Sequence, residues 1–228
     1  VIKKNVYIEW VEELLSYFFG TVFGRWDIRY GTKEKSIAEL PDPFDPLPVC
    51  PPGLLQNSIG YQANSNDIPA DYPLSIPWSG IIVDDEGYPE DVITCLREAI
   101  EVIWKDKAND IEQEACEILG VRDLREYFSK PGRFFAEHLK RYSKSRRQAP
   151  IYWPLSTPSG SYTLWLYYHR LTDQTLYTCV NNFVGPKLKQ VADDVDNLRK
   201  KSNRSRQEEK ELEKLSDLAV ELKDFDDE

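Results

Sequence analysis

The densest group of side chains with a recognisable chemistry is a basic segment that runs from Lys130 to Arg147. It contains seven cations and one acid, Glu137, in a chain whose net charge is −10. Tyr142 lies within it and Tyr152 follows it. Cations neutralise phosphates and aromatic rings stack on bases or sugars, so this combination is typical of nucleic-acid contact. The candidate DNA-binding residues are Lys130, Arg133, Lys140, Arg141, Lys144, Arg146, Arg147 and Tyr152.

The basic segment also has a simpler explanation, in which it is a solvated loop and the neighbouring aromatic residues belong to the core. A cluster of like charge costs folding energy unless an anionic partner relieves it. Arg146 and Arg147 stand in a Ser/Lys-rich stretch before an aromatic strand pattern, so we expect both to face solvent. Both explanations remain open on the sequence.

Acidic side chains cluster at Asp84–Glu86, Glu90–Asp91 and Asp224–Glu228. Paired carboxylates can hold a metal ion for nuclease chemistry. These clusters lack the strand-borne arrangement of acids and a lysine that such nucleases favour, and helix caps or solvated faces account for them. We therefore predict no metal site, and an independent metal nuclease is the third and weakest functional hypothesis.

Other catalytic patterns are incomplete. His138 and His169 have no adjacent Ser or Cys nucleophile with an orienting acid. Gly20 and Gly24 lie in or after a helical pattern rather than after a strand, so they do not form a cofactor loop. Asp42-Pro43-Phe44 lacks the second proline of the Asn/Asp-Pro-Pro-aromatic motif that grips a flipped adenine. We predict no catalytic residue and no cofactor in this chain.

Composition narrows the class of protein. The hydrophobic fraction of 41% excludes general disorder, and no apolar run approaches the roughly 20 residues that span a bilayer. The four cysteines form no C-x-x-C pair, so we expect reduced thiols, with Cys95 and Cys116 buried. The start carries no signal-peptide cleavage site. These features predict a soluble cytoplasmic protein, and the Val1 start with a charged helical end predicts a piece of a longer one.

The elements that must position these residues are mostly helical. Helical apolar spacing covers residues 6–23, resumes at Pro89, and continues over about 110–119, 123–128 and 134–139. Gly120 is expected to end the third of these helices. Residues 31–90 hold most of the prolines, which exclude regular helix or central strand, and we expect only a short strand at Ile81–Val83.

Two hairpins follow. Ile151–Leu155 and Ser161–His169 flank a turn and predict a β-hairpin with two apolar faces, so we expect it to be sandwiched and Trp153 to be buried. The tail predicts two antiparallel helices, the second opened by a capping box from Ser205 to Glu208. The predicted fold is α+β and predominantly helical, with residues 1–185 as one module and 186–228 as a helical hairpin or spacer.

Three stretches carry a family resemblance: LLSYFFGTVFGRWDIRYG at 14–31, residues 115–177, and residues 181–201. The most specific part is RRQAPIYWPLSTPSGSYTLWLYY, from Arg146 to Tyr168. Together they resemble the C-terminal, non-catalytic region of large bacterial adenine-specific DNA methyltransferases, which include type II restriction–modification methylases and BREX-type phage-exclusion methyltransferases.

The resemblance implies that S-adenosylmethionine and the adenine pocket belong to an upstream catalytic domain or subunit. It implies target recognition and scaffolding for this region, with double-stranded DNA and that catalytic domain as partners. A structural module that docks the catalytic domain or a partner defence protein, without DNA contact, is the alternative. Salt-sensitive duplex binding distinguishes the two hypotheses.

Overall fold

The computed structural model describes residues 2–36, 42, 44, 46–130, 132–144 and 147–227. Within this part the fold is α+β and predominantly helical, as predicted. The helices are α1 (Ile2–Val22), α2 (Val92–Trp104), α3 (Ala108–Leu119), α4 (Leu124–Ser129), α5 (Phe134–Tyr142), α6 (Thr175–Thr178), α7 (Gly185–Lys200) and α8 (Arg206–Asp227). A π-helical turn, Cys179–Val184, joins α6 to α7.

A small antiparallel sheet lies at the centre. Its strands are β1 (Ile81–Val83), β2 (Tyr152–Ser156) and β3 (Thr163–Tyr167), in the order β1-β3-β2. β3 is buried along its whole length, which confirms the sandwiched arrangement for this strand. For β2 the prediction was wrong, because this strand forms an edge of the sheet and Trp153 remains 47% exposed.

The first core covers one face of the sheet. Phe19 of α1 is fully buried at its centre. Its ring contacts those of Phe128 at 5.2 Å, Phe134 at 4.6 Å, Tyr152 at 4.9 Å, Trp165 at 5.3 Å and Phe23 at 5.3 Å. Interlocked aromatic rings of this kind add directional contacts to their large buried area. This core therefore fixes α1, α4, α5 and the hairpin relative to one another.

The second core covers the opposite face. Leu164 and Leu166 point into it and pack with Phe183, Val191 and Leu222 of the C-terminal helices. α7 and α8 form the predicted helical hairpin, with a turn between Lys200 and Arg206. The predicted capping box is present, because Ser205 Oγ accepts from the Glu208 N–H at 3.2 Å and the Glu208 carboxylate accepts from the Ser205 N–H at 2.8 Å.

The proline-rich stretch is irregular wherever the structure describes it, apart from a 3₁₀ turn at Ser65–Asp67 and strand β1, as expected. It folds back on the protein through a small core of its own, made by Leu55, Ala63 and Ile76. One predicted boundary was wrong: α2 begins at Val92 rather than Pro89. The reason is that Asp91 is the N-cap and its carboxylate accepts from the Thr94 N–H at 3.0 Å.

Candidate nucleic-acid interface

Four of the seven predicted cations have partners inside the protein. Lys130 pairs with Glu126, Lys140 with Glu137 at 3.5 Å, Arg141 with Glu13 at 3.6 Å, and Arg133 donates to the Leu119 carbonyl at 3.3 Å. A surface ion pair contributes little stability, but each of the three acidic partners offsets the positive charge that a phosphate would meet, and the Leu119 carbonyl occupies a donor of Arg133. These four side chains therefore form a weaker DNA surface than their density in the sequence indicates.

Lys144 and Arg147 differ from those four. Both are exposed, and neither forms an ion pair within the described part of the chain. Their backbones pair with each other, with the Lys144 N–H 3.1 Å from the Arg147 carbonyl and the Arg147 N–H 3.2 Å from the Lys144 carbonyl. Arg146 lies outside the described residues. We call residues 143–150 the basic loop, and Lys144 and Arg147 are its described cations.

Tyr152 does not belong to this surface, which corrects the sequence prediction. Its side chain is 1% exposed, and its ring stacks on Phe23 with centroids 5.2 Å apart. Because β2 begins at Tyr152 and turns this side chain towards the first core, the ring cannot stack on a base. The next residue, Trp153, was expected in the core, but its side chain is exposed.

A buried histidine holds the chain that follows the basic loop against α5. His138 lies on α5, and its Nε2 accepts from the Ile151 N–H at 2.9 Å and the Tyr152 N–H at 3.2 Å. Burial, together with the positive charges of Arg25 and Arg141, lowers the pKa of His138 to about 4. The ring is therefore neutral at pH 7 and acts as an acceptor that joins α5 to β2.

Arg25 is a functional candidate that the sequence prediction missed. It follows α1, and its guanidinium carbon lies 5.0 Å from the Trp26 ring centroid and 5.8 Å from that of Tyr142, the last residue of α5. It therefore adds a cation beside the start of the basic loop. In the sequence, Arg25 stands between a glycine and a tryptophan, in FGRW. The local density of charge there is not high, so a search for clustered cations does not select this residue.

The acidic clusters around β1 take part in ion pairs. Arg125 donates to the Asp84 carboxylate and to both carboxylate oxygens of Asp91 at 3.0 Å, and Lys187 lies 2.7 Å from Asp85. Burial raises the pKa of Asp84. Within the described residues, no group of three or more His, Cys, Asp or Glu side chains could hold a metal ion. The carboxylates here join β1 and α2 to α4 and α7.

The cysteines are free thiols, and Cys95 and Cys116 are buried as expected. Burial raises the pKa of Cys95 to about 12 and that of Cys116 and Cys179 to about 11. At pH 7 these thiols are protonated and have little nucleophilic character. Across the described residues, no helix is both long enough and apolar enough to traverse a lipid bilayer.

Comparison with known proteins gives one informative relative. No family model matches the chain. The chain is 24% identical over 208 residues to the adenine-specific methyltransferase BrxX of Escherichia coli O9:H4 (strain HS). The alignment covers 82% of this chain but 15% of the length of that protein. The chain is therefore similar to one part of an adenine-specific methyltransferase.

Proposed function

We propose that this chain is a DNA-contacting target-recognition or scaffold part of an adenine-specific DNA methyltransferase or restriction–modification enzyme. The observation that carries the proposal is the similarity to an adenine-specific methyltransferase, which extends over 82% of the chain but 15% of the relative. This chain corresponds to the C-terminal, non-catalytic region, and S-adenosylmethionine and methyl transfer belong to an upstream domain or subunit. The assembly acts on double-stranded DNA in the cytoplasm.

The basic loop supports direct DNA contact. In a chain of net charge −10, Lys144 and Arg147 are exposed and are not neutralised by a described acid. The His138 hydrogen bonds at the base of the loop restrict its position. When exposed cations are held on a fixed element, they orient a protein on the DNA backbone without reading the base sequence. Arg25, above the Tyr142 ring, adds to the same charge.

A scaffold role has its own supporting observation. Leu176, Tyr177 and Val220 are each more than half exposed, at 65%, 67% and 61%. Leu176 and Tyr177 border an apolar groove of about 420 Å³ between α6 and α8, which Val180 and Phe225 also line. Exposed apolar side chains beside a groove favour protein docking. The catalytic domain of the same enzyme is the partner that this second proposal requires.

The two proposals are separated by duplex binding with matched variants. Lys144→Ala/Arg147→Ala removes both described cations of the basic loop. Arg199→Ala/Lys200→Ala removes two exposed cations at the end of α7 and is the control for net charge. Fluorescence anisotropy should show weaker duplex binding for the loop variant at every sequence, with the control close to the unmodified chain. No duplex binding by the unmodified chain, together with complex formation with a methyltransferase catalytic domain in sedimentation, would favour the scaffold.

A further inference from the structure

Two large aromatic side chains are exposed where the basic loop joins the sheet. Trp153, in β2, is 47% exposed, and Tyr168, directly after β3, is 57% exposed. We call these two residues the aromatic platform. A single exposed ring is ordinary on a protein surface, but two neighbouring rings beside exposed cations form a surface with a specific chemistry.

Strand pairing places both residues on the same face of the sheet. Trp153 lies opposite Leu166, whose side chain faces the second core. The Tyr167 ring lies in the first core, and the backbone of Tyr167 is extended, with φ −88° and ψ 111°. Because side chains alternate along extended backbone, Tyr168 leaves from the same face as Leu166 and Trp153. In an antiparallel ladder such diagonal neighbours are roughly 7–8 Å apart, which long aromatic side chains can bridge.

The platform lies at the end of the sheet next to the basic loop. The Tyr168 N–H donates to the Ile151 carbonyl at 2.8 Å, and Ile151 directly follows the loop. The two hydrogen bonds that His138 accepts there hold this junction against α5. The short segment between Arg147 and Trp153 keeps their Cα atoms within roughly 22 Å, a distance that a DNA strand covers in about six nucleotides. One bound strand can therefore contact both.

The backbone at the edge of β2 does not accept a further strand. Pro154 has no N–H, and the alternation of the ladder turns its nitrogen away from β3. The Tyr152 N–H also points outward, but it already donates to His138 at 3.2 Å. A strand added at this edge would lack both donors, so recognition at this place depends on the side chains of the platform.

Exposed rings beside cations match the chemistry of an unpaired nucleobase. A planar base stacks on a Trp or Tyr ring, while the neighbouring cations neutralise the phosphates of the same strand. Inside a duplex the faces of each base are covered by the adjacent bases, so a protein ring reaches only a base that lies outside the stack. The ligand class is therefore DNA that carries an unpaired base.

The competing occupant is an apolar segment of a protein. Leu155 lies on the same face as Trp153 and lines the apolar groove beside α6. The exposed cations Lys144 and Arg147 favour the nucleobase instead. An apolar segment gains nothing from adjacent positive charge, whereas every base is attached to a phosphate.

We propose that the aromatic platform stacks on an unpaired nucleobase of the DNA whose phosphates contact the basic loop. This inference rests on the proposed DNA contact and deepens it, because it assigns the phosphates to the cations and the base to the two rings. Stacking of this kind is tolerant of base identity, since every base has an aromatic face. The platform therefore recognises the unpaired state of a base rather than its sequence.

The test compares three ligands by fluorescence anisotropy: a fully paired duplex, the same duplex with one extra unpaired dT, and that duplex with an abasic site in place of the dT. The unmodified chain should bind the dT duplex roughly fivefold to a hundredfold more tightly than the abasic duplex. Trp153→Ala should lose this preference, Tyr168→Ala should reduce it, and Trp153→Phe should keep most of it. Tyr177→Ala is the matched control, because Tyr177 is a ring of similar exposure at the groove, and it should keep the full preference. Lys144→Ala/Arg147→Ala should weaken the binding of all three ligands by a similar factor.

Circular dichroism first establishes that each variant is folded. Equal affinity of the unmodified chain for the dT and abasic duplexes, with the paired duplex still bound, would overturn the platform and leave the DNA contact of the basic loop intact. A preference that survives Trp153→Ala, or that Tyr177→Ala also removes, would overturn the assignment to these two rings. If the unmodified chain binds none of the three ligands, the proposed function itself fails. Trp153-dependent binding to a methyltransferase catalytic domain, without a base preference, would assign the platform to protein docking instead.

Discussion

His138 shows how one side chain controls the geometry of the interface. Its Nε2 must be unprotonated to accept from the Ile151 and Tyr152 amides, and the ring is 2% exposed. In the unfolded chain the pKa is near 6.5, and in the folded chain it is about 4. As pH falls from 6.5 to 4, the unfolded state therefore binds a proton that the folded state does not, and stability is lost across that window.

We expect this residue alone to reduce the free energy of unfolding by about 3 kcal/mol between pH 6.5 and 4. Urea unfolding at several pH values, for the unmodified chain and His138→Gln, measures the effect. The amide of Gln does not titrate, so the variant should show a shallower pH dependence in this window. Equal slopes for the two proteins would show that His138 is not the acceptor described above.

Tyr152 was predicted on the DNA surface but lies in the first core, and a substitution can test this placement. Its hydroxyl is buried without a partner among the described residues, and burial raises its pKa well above the usual value. Tyr152→Phe should therefore leave the free energy of unfolding unchanged or raise it by up to about 1 kcal/mol. Duplex affinity should also stay the same. A substantial fall in affinity, with stability preserved, would return Tyr152 to the DNA surface.

At the scale of elements, helix boundaries followed local chemistry that can be read from the sequence. Asp123 caps α4, Gly120 ends α3 with φ +64°, and Ser205 opens α8. The pairing of β1 with β3 was not predictable in the same way, because Ile81 and Leu166 are distant in sequence and no turn joins them. Without that pairing, the edge position of β2 and the exposure of Trp153 could not be inferred.

The cap of α8 carries a prediction of its own. Ser205→Ala removes the acceptor for the Glu208 N–H and should lower the free energy of unfolding by about 1 kcal/mol. Ser202→Ala, in the same turn and also exposed, is the matched control and should change it by less than about 0.5 kcal/mol. Chemical denaturation measures both. Equal effects of the two substitutions would mean that the capping box does not stabilise α8.

The candidate DNA-binding site was only partly predictable, because contacts between residues distant in sequence decide which cations are paired with acids. Counting charges along the sequence finds cations that are neighbours in the chain. It does not show that Arg141 forms an ion pair with Glu13 on α1. The basic segment remains a prediction of the DNA-binding region, and the tertiary fold determines which of its cations remain without a described acid.

At the scale of the whole molecule, one thin sheet separates two cores. β3 contributes Trp165 to the first and Leu164 to the second, so the two cores share a backbone. The division of the chain at residue 185 remains a prediction. The packing of Val191 and Leu222 against the sheet leads us to expect that the C-terminal helices and the rest of the chain unfold together.

Leu222→Ala tests this coupling, since Leu222 is fully buried in the second core. The substitution should lower the free energy of unfolding by about 2–5 kcal/mol. Tryptophan fluorescence, which includes Trp165 of the first core, and circular dichroism should report the same shifted midpoint. Separate midpoints for the two probes would show that the helical hairpin is an independent unit.

The central claim is that the exposed cations of the basic loop contact DNA phosphates, and its most direct test is the salt dependence of duplex affinity. For the unmodified chain, the logarithm of the binding constant should fall linearly with the logarithm of salt concentration. In Lys144→Ala/Arg147→Ala the slope should become shallower by roughly 1.8, about 0.9 for each phosphate that the variant no longer neutralises, whatever the duplex sequence. Arg199→Ala/Lys200→Ala should keep the original slope. An unchanged slope in the loop variant, or no salt-dependent duplex binding by the unmodified chain, would contradict a DNA-binding role for the basic loop.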